Sequence, residues 1–315
     1  MKTQGIHHIT GIAGDAQRNL DFYAGVLGLR FIKKTVNFDD PYTYHFYFGD
    51  EIGTPGTVLT FFPWSSEGRP GRLGVGQTES FAFAVPRLSI DYWRARLGQR
   101  GVAIRDSGHR FGEPFLSFSD HDGLLVELVG VEADRRNPWG RAVPGEHAIR
   151  GFHSVTLLES EGAPTATFLR EQLGLVESAG EGNRIRLAAT GPAGLVDLRI
   201  DSGAPLGQWG RGTVHHVAFR TPDEQQQRVT REEMLRSGVR VTTVADRQYF
   251  RSIYFHEPGG VLFELATDTP GFTIDETVEE LGSGLKLPPW YEEGRRLIEA
   301  QLPVVVHPEL VDAQS

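Results

Sequence analysis

The chain has 315 residues, enough for two domains of ordinary size, and its 39% hydrophobic and 23% charged residues exclude a disordered or fibrous protein. A net charge of -9 argues against nucleic acid as a partner, because binding a polyanion requires clustered Lys and Arg. The absence of cysteine excludes disulfides, thiolate metal sites and a cysteine nucleophile, so any metal must bind through His and carboxylate side chains.

The N-terminal sequence, MKTQGIHHITGIAGDAQ, lacks the basic leader and apolar stretch of a signal peptide. No run of the chain approaches the roughly 18 apolar residues that a membrane span requires. We therefore expect a cytoplasmic protein that has no membrane partner and acts on a small molecule. The sequence allows a homo-oligomer but does not determine the oligomeric state.

Residues 5–10 form the first predicted strand, and a helix of about three turns follows. Asp15 suits the N-cap of this helix, and Gly28 suits its C-terminal cap. One apolar face at helical spacing consists of Ala16, Leu20, Tyr23, Ala24 and Leu27. Residues 44–48 and 57–62 are then typical of strands, since Gly, Asp and Pro turn signals separate them. The unit is β-α-β-β-β.

The same unit returns later in the chain. GIHHIT at 5–10 matches GFHSVT at 151–156, and Leu-Gly-Leu at 27–29 matches Leu-Gly-Leu at 173–175, so both pairs share one offset of 146 residues (151 minus 5 and 173 minus 27). Two further pairs of segments match as well: TESFAFAV with TVHHVAF, and GLLVEL with GVLFEL. Matches in a shared register indicate internal duplication.

We therefore predict an α+β fold of four βαβββ modules, which lie at residues 5–66, 77–131, 150–202 and 212–268. The modules are expected to pair into two half-barrel domains, with two modules in residues 1–134 and two in residues 150–270. A Pro- and Gly-rich segment, residues 135–149, is the predicted linker. Residues 271–315 form a predicted C-terminal tail, whose amphipathic helix packs on the body of the protein.

Equivalent strand positions line one surface when the modules pair, because alternate side chains of a strand share a face. In the first strand of each module, this position holds His8, Ser80, Ser154 and His216. In the last strand, it holds Thr60, Glu127, Asp197 and Glu264. The second and third modules have no imidazole at these positions, so we do not expect a transition metal there.

The first and fourth modules together supply His8, His216 and Glu264. Two histidines and one carboxylate leave open coordination positions and are the ligand set of non-haem Fe(II) oxygenases. A single histidine is more often structural than a ligand. Here, however, two histidines occupy the same position of two repeats, and Glu264 lies in an apolar strand where a buried charge needs a partner or a metal. We therefore predict that these three residues bind one divalent ion.

The repeated unit, with HHIT, HHVAF and the closing PGGVLFEL, resembles the vicinal-oxygen-chelate superfamily, which includes glyoxalase I, extradiol dioxygenases and bleomycin-resistance proteins. Within it, the chain is most similar to the hydroquinone ring-cleaving dioxygenases, and the similarity extends to LPPW at 287–290. This resemblance implies a ring-cleaving dioxygenase that uses O₂ and a small aromatic substrate of the hydroquinone type. It also implies Fe(II) as the metal, with Mn(II) as the alternative ion.

The resemblance further implies roles near the metal for His7, Thr10, His215, Arg247 and Tyr254. Thr10 lies two residues after His8 and therefore on the same strand face. His7 and His215 would point away in a regular strand, so only a β-bulge or side-chain reach would bring them to the site. Without the resemblance, Arg247 is typical of a surface or turn arginine, and Tyr254 and Thr10 are typical of strands. His215 or Tyr254 is expected to manage the phenolic proton.

Two alternative functions remain open at this point. A glyoxalase-like isomerase or lyase usually has four protein ligands, and Thr60 in the fourth position argues against it. A metal-free protein that binds aromatic compounds, like the drug-resistance relatives, would not require the set of two histidines and one glutamate. Metal analysis and oxygen consumption distinguish these functions.

Overall fold

The computed structural model describes residues 3–65 and 68–307. In these residues, the elements follow one another as four βαβββ modules, so the predicted α+β fold is confirmed. The first module comprises β1 (Ile6–Ala13), α1 (Ala16–Leu20), β2 (Arg30–Asn37), β3 (Asp40–Gly49) and β4 (Val58–Pro63). The second comprises β5 (Gln77–Pro86), α2 (Ile90–Gln99), β6 (Ile104–Arg110), β7 (Glu113–Ser119) and β8 (Leu125–Val131).

The second half of the chain repeats this order. The third module comprises β9 (Gly151–Glu159), α3 (Gly162–Phe168), β10 (Val176–Glu181), β11 (Arg184–Ala188) and β12 (Leu195–Ile200). The fourth comprises β13 (Thr213–Thr221), α4 (Glu224–Arg236), β14 (Ala245–Asp246), β15 (Phe250–His256) and β16 (Leu262–Pro270). A final helix, α5 (Arg295–Gln301), lies in the tail.

The modules pair as first with fourth and second with third. One eight-stranded sheet has the order β14-β15-β16-β13-β1-β4-β3-β2, and the other has the order β10-β11-β12-β9-β5-β8-β7-β6. The antiparallel pairs β1–β13 and β5–β9 join the two modules of each sheet. The division of the chain at residues 135–149 stays a prediction, and each sheet combines one module from either side of it.

The first helix shows how local sequence determines an element. The Asp15 side chain accepts a hydrogen bond from the backbone N–H of Arg18 at 2.8 Å, as an N-cap does. The helix continues through a π-helical turn, Asp21–Val26, and Gly28 has the positive φ of +72° that favours glycine. A Cβ at Gly28 would also lie 2.7 Å from the side chain of Val143, so both backbone and space favour glycine.

Helices and sheets share one main hydrophobic core. Trp93 and Leu97 form the buried face of α2, which contacts β7 and β8. Backbone hydrogen bonds of 2.8 Å join residues of the two sheets or their loops, from Ile6 N to Ala193 O and from Phe152 N to Gly56 O. Burial of such apolar surface is the main stabilising contribution to the fold.

The tail packs on the outer strands of the first module. A 3₁₀ helix, Pro289–Gly294, precedes α5, which contacts β3 and has Ile298 as its buried residue. Residues 308–315 of the predicted tail lie outside the described residues. Within the described part of the chain, no helix has the length and apolar character that crossing a membrane requires.

Candidate metal centre

The seam between β1 and β13 contains two β-bulges, which lie at His7 and His215. Ile6 pairs with Phe219 while His8 pairs with the next residue, Ala218, so His7 is the extra residue of β1. On β13, His215 is the extra residue, because Thr10 pairs with His216 and Gly11 pairs with Val214. A bulge interrupts the alternation of side chains. It therefore allows two consecutive histidines of one strand to contact each other.

Each bulged histidine contacts its neighbour in sequence through the ring nitrogens. Nδ1 of His7 lies 2.9 Å from Nδ1 of His8, and Nδ1 of His215 lies 2.8 Å from Nδ1 of His216. These contacts leave the Nε2 atoms of His8 and His216 facing each other at 3.3 Å. A histidine that binds a metal through one ring nitrogen commonly donates the N–H of the other nitrogen to a neighbour, which fixes its orientation.

The structure brings His8, His216 and Glu264 together. Oε2 of Glu264 lies 2.9 Å from Nε2 of His216 and 3.4 Å from Nε2 of His8. All three side chains are buried, and among the described residues they are the single group of three or more His, Asp and Glu with metal-binding spacing. Oε2 of Glu264 has no well-oriented hydrogen-bond donor in this part of the chain. Two imidazole nitrogens and one carboxylate oxygen thus point their lone pairs at a common centre, an arrangement that fits a divalent cation.

Burial and mutual contact determine the charge states at this cluster. Burial alone would raise the pKa of Glu264, but the adjacent His8 and His216 outweigh burial and hold this pKa well below its usual value. Burial, aided by the charge of His216, lowers the pKa of His215 to about 3. Burial also lowers the pKa of His216, against the opposing effect of Glu264. Neutral imidazoles beside an ionised carboxylate are the forms that ligate metals.

A cavity of about 240 Å³ opens from the three candidate ligands. Its polar wall includes His45, His215, Arg247 and Tyr254, and its apolar wall includes Phe38, Phe62, Trp64, Phe250 and Leu262. A larger cleft of about 760 Å³ lies between the tail and β2, but it contains none of the candidate ligands. The smaller cavity is therefore the candidate substrate pocket.

Arg247 and Tyr254 form one unit at the wall of this cavity. Nε of Arg247 donates to the hydroxyl oxygen of Tyr254 at 3.0 Å, and Nη1 of Arg247 donates to Oδ2 of Asp39 at 3.1 Å. Burial, together with the charge of Glu264, raises the pKa of Tyr254, so its phenol stays protonated. Because the Tyr254 oxygen accepts from Arg247, its own proton is free to be donated elsewhere.

Two of the other three residues implied by the resemblance contact the candidate ligands themselves rather than form the walls of the cavity. Oγ1 of Thr10 lies 2.9 Å from Nε2 of His216 and 2.7 Å from Oγ1 of Thr60. His7 is buried behind His8, where its ring packs against Phe250 at 5.1 Å. His215, in contrast, lines the cavity directly.

Sequence reasoning missed three polar residues of the site: His45, Ser252 and Asp39. Nε2 of His45 lies 2.9 Å from Oγ1 of Thr60 on the neighbouring strand, and the Ser252 hydroxyl donates to Oε1 of Glu264. His45 and Ser252 lie in the third strands of modules one and four, which the comparison of modules did not include. An alignment of these third strands could have indicated both residues.

The equivalent face of the second sheet contains ion pairs where the first has metal candidates. Arg110 donates two hydrogen bonds to Glu127, at 2.8 and 3.2 Å. Arg186 donates two to Asp197, at 2.7 and 2.8 Å. A bidentate guanidinium neutralises each carboxylate. In this sheet, arginine side chains therefore engage both carboxylates.

Comparison with known proteins identifies the relatives of this chain. A family model described as the Glyoxalase/Bleomycin resistance protein/Dioxygenase superfamily matches residues 5–128 and 151–265. MhqO of Bacillus subtilis (strain 168), which is named as a ring-cleaving dioxygenase, is 46% identical over 306 residues. These residues cover 96% of this chain and 96% of that protein. A chlorohydroquinone/hydroquinone 1,2-dioxygenase of Sphingobium indicum is 38% identical over 302 residues, which cover 92% of this chain and 93% of that protein.

A solved structure agrees with these relatives. The crystal structure of a protein named as a dioxygenase from Bacillus subtilis subsp. subtilis str. 168 is 45% identical in sequence, with a TM-score of 0.93 over 97% of this chain and 98% of that chain. The family that HHIT, HHVAF and PGGVLFEL indicated is thus confirmed. The chain belongs to the Glyoxalase/Bleomycin resistance protein/Dioxygenase superfamily and, within it, to the ring-cleaving dioxygenases.

Proposed function

We propose that this protein is an Fe(II)-dependent dioxygenase that opens the ring of a hydroquinone-type compound with O₂, by extradiol-like cleavage beside a hydroxylated carbon. The observation that carries the proposal is the convergence of His8, His216 and Glu264 at a cavity that also contains Tyr254 and His215. The activity for which the Sphingobium relative is named supports the hydroquinone class.

The ligand set favours Fe(II), with Mn(II) as the alternative ion. Two imidazoles and one carboxylate leave positions open for exogenous ligands. Thr60 occupies the fourth equivalent position, but its hydroxyl is hydrogen-bonded to Thr10 and His45. When bound, Fe(II) would supply adjacent positions for a deprotonated substrate hydroxyl and for O₂, and would transfer electron density toward oxygen.

The apolar wall of the cavity would orient the aromatic ring and exclude water. At about 240 Å³, the cavity is smaller than the roughly 300 to 1,000 Å³ of typical ligand pockets, which favours a substrate with a single ring. Phe62 lies on β4, two residues after Thr60, and Trp64 directly follows this strand. The ring centroids of Phe250 and His8 are 4.9 Å apart, so an apolar side chain also covers one of the candidate ligands.

His215 and Tyr254 are the proton donors that this cavity presents to a substrate. If Nε2 of His216 binds an ion, its Nδ1 carries the proton and donates to Nδ1 of His215. The proton of His215 is then on Nε2 and available to the cavity. Tyr254, whose oxygen accepts from Arg247, likewise has its own proton to donate. These groups would hold the phenolic proton and stabilise negative charge on oxygen.

Oxygen consumption tests the proposal directly. The protein is reconstituted anaerobically with Fe(II), and an oxygen electrode then records uptake with a series of hydroquinones and catechols. We expect uptake with at least one hydroquinone, and product analysis is expected to show an opened ring. Full Fe(II) loading with no uptake for any compound would contradict the dioxygenase proposal.

The same preparation tests the alternatives. A metal-loaded protein that isomerises a hemithioacetal without consuming O₂ would indicate a glyoxalase-like activity. A protein that binds aromatic compounds equally well without metal would indicate a binding function. The cytoplasmic location and a homo-oligomeric state stay predictions.

A further inference from the structure

A chain of hydrogen-bonding groups runs from Tyr47 to the candidate metal ligands. The Tyr47 hydroxyl lies 2.8 Å from Nδ1 of His45, and Nε2 of His45 lies 2.9 Å from Oγ1 of Thr60. Oγ1 of Thr60 lies 2.7 Å from Oγ1 of Thr10, which lies 2.9 Å from Nε2 of His216. Every link has the length of a hydrogen bond.

Tyr47 determines which group donates and which accepts in each of these hydrogen bonds. Tyr47 is 1% exposed, and among the described residues its hydroxyl has one hydrogen-bond partner, Nδ1 of His45. A buried hydroxyl proton without an acceptor is costly, so the Tyr47 hydroxyl donates and Nδ1 of His45 accepts. Burial lowers the pKa of His45 well below its usual value, and the neutral ring then has its N–H on Nε2.

The opposite end of the chain requires the same direction. If Nε2 of His45 donates to Thr60, the proton of Thr60 points to Thr10, and the proton of Thr10 points to Nε2 of His216. The reverse direction would place a proton on Nε2 of His216, and a protonated nitrogen cannot bind a metal. The buried phenol of Tyr47 and the metal-binding nitrogen of His216 therefore require the same donor and acceptor roles.

We propose that His45, oriented by Tyr47, is a positioning residue that keeps the Thr10 hydroxyl a hydrogen-bond donor toward the ionised hydroxyl of the substrate. The proposal rests on the proposed function, because an ion on Nε2 of His216 would remove that nitrogen as the acceptor of the Thr10 proton. The proton is then available to an anionic oxygen held beside the ligands. Hydrogen bonds to anionic oxygen are about twice as strong as neutral ones.

The same chain affects the fourth ligand position. Oγ1 of Thr60 accepts from His45, and its proton is donated to Thr10. A hydroxyl that both accepts and donates a hydrogen bond is a poor metal ligand. The fourth coordination position therefore stays open to exogenous ligands. His45 thus acts through Thr60 and Thr10 and touches neither the ligands nor the ion.

The first test reads the tautomer of His45 and needs no metal. Long-range ¹H–¹⁵N correlation spectra of metal-free protein with ¹⁵N-labelled histidine report which ring nitrogen is protonated, and the His45→Gln spectrum assigns the His45 signals. We expect a protonated Nε2 and an unprotonated Nδ1, and we expect Tyr47→Phe to weaken this preference. A proton on Nδ1 of His45 in the wild type would overturn the proposal, whatever the activity of the enzyme.

The second test reads the ionisation of a bound phenol. The probe is 4-nitrophenol, whose absorbance distinguishes phenol from phenolate, added under argon to Fe(II)-loaded protein. We expect His45→Leu to bind the phenolate about tenfold more weakly and to raise the apparent pKa of the bound phenol. Tyr47→Phe is expected to shift both quantities in the same direction, by less. His45→Gln is expected to retain most of the affinity, because its amide can accept from Tyr47 and donate to Thr60.

Tyr44→Phe is the matched control. Tyr44 is a buried tyrosine of the same strand, but its hydroxyl donates to the backbone oxygen of Pro303 in the tail. This variant is expected to leave 4-nitrophenol binding unchanged. If His45→Leu retains both its iron content and its affinity for the phenolate, the role assigned to His45 is wrong. Absence of oxygen uptake by the wild type, in contrast, contradicts the proposed function and leaves the tautomer measurement to decide the role of His45.

Discussion

Each candidate ligand is held by a residue outside the cluster. Nδ1 of His8 contacts His7, Nδ1 of His216 contacts His215, and the second oxygen of Glu264 accepts from Ser252. These contacts orient the three lone pairs before an ion arrives. Loss of such an outer contact typically weakens metal affinity or activity by about 10- to 100-fold.

Substituting the glutamates of the two sheets should separate the metal centre from its ion-paired equivalent. We expect Glu264→Gln to abolish or greatly weaken metal retention, because an amide oxygen lacks the negative charge of the carboxylate, which is the one acidic ligand of the set. Glu127→Gln should retain the metal, since Glu127 pairs with Arg110 in the other sheet. Metal content is measured by elemental analysis after gel filtration, and equal content in both variants would contradict the site.

Glu159 is a buried carboxyl of the third module with an unusual environment. It is 1% exposed, and its Oε1 has no hydrogen-bond partner among the described residues. Burial, together with the charge of Glu257, raises the pKa of Glu159 to about 8. Glu257 itself accepts hydrogen bonds from Thr165 and from the backbone N–H groups of Gly259 and Val261.

The raised pKa predicts a loss of stability at alkaline pH. The folded protein binds the Glu159 proton more tightly than the unfolded chain, whose carboxyl has a pKa near 4.5, so this stability is complete below pH 4.5 and is lost as the pH rises through about 8. We expect the free energy of unfolding of Glu159→Gln to be close to that of the wild type near pH 5 and to exceed it by up to ~5 kcal/mol near pH 9, since the pKa difference between 4.5 and about 8 corresponds to about 1.4 kcal/mol per pH unit. Urea unfolding across this range provides the measurement; a constant difference would refute it.

Among the elements, β1 and β13 have the greatest influence on the site. Regular alternation predicts that His8 and Thr10 face the site and that His7 and His215 face away. The two bulges change this arrangement at one residue of each strand, and the second sheet has register shifts around Glu79 and His153, the equivalent positions. The paired bulges are thus a feature of the module seam itself.

The tail is attached to β2 by a buried ion pair. Lys33 is fully buried, and its Nζ donates to the carboxylates of Asp275 and Glu276 and, at 3.1 Å, to the backbone oxygen of Phe272. Its ammonium group also lies 5.0 Å from the ring centre of Tyr249. Removing one partner of such a pair leaves a buried charge without compensation.

We expect Lys33→Met to lower the free energy of unfolding by about 3 kcal/mol, because the carboxylates of Asp275 and Glu276 in the tail then lose their cationic partner. Glu292→Gln is the control, since its pair with Arg295 is largely exposed and should change stability by less than about 1 kcal/mol. Denaturant unfolding measures both variants. A loss for Lys33→Met no larger than that of the control would show that the tail does not depend on this ion pair.

On the scale of the whole molecule, the candidate metal centre brings together residues from the first and last modules of the chain. His8 lies in the first module, whereas His216 and Glu264 lie in the fourth, and β1 and β13 form the seam between them. An ion that binds only this folded arrangement must stabilise it against the unfolded chain.

Metal removal should therefore lower the thermal stability of the entire protein. We expect a chelator to reduce the Tm of the wild type by several degrees, since a ligand at about 100 times its Kd contributes about 2.7 kcal/mol. Readdition of Fe(II) or Mn(II) should restore the Tm. Calorimetry with and without chelator measures the change, and Glu264→Gln should show no such difference. An unchanged Tm in the wild type would mean that no ion is bound at this site.

The sequence by itself determined the repeated βαβββ module, the family and the three candidate ligands, because strand periodicity and duplication are local properties that remain visible in a linear chain. The tertiary structure decided what depends on contacts between distant residues. The bulges arise from the register of β1 against β13, the chain from Tyr47 to Thr10 arises from the packing of β3 beside β4 and β1, and the burial of Lys33 requires the tail. Such contacts join residues far apart in sequence, so no local pattern records them.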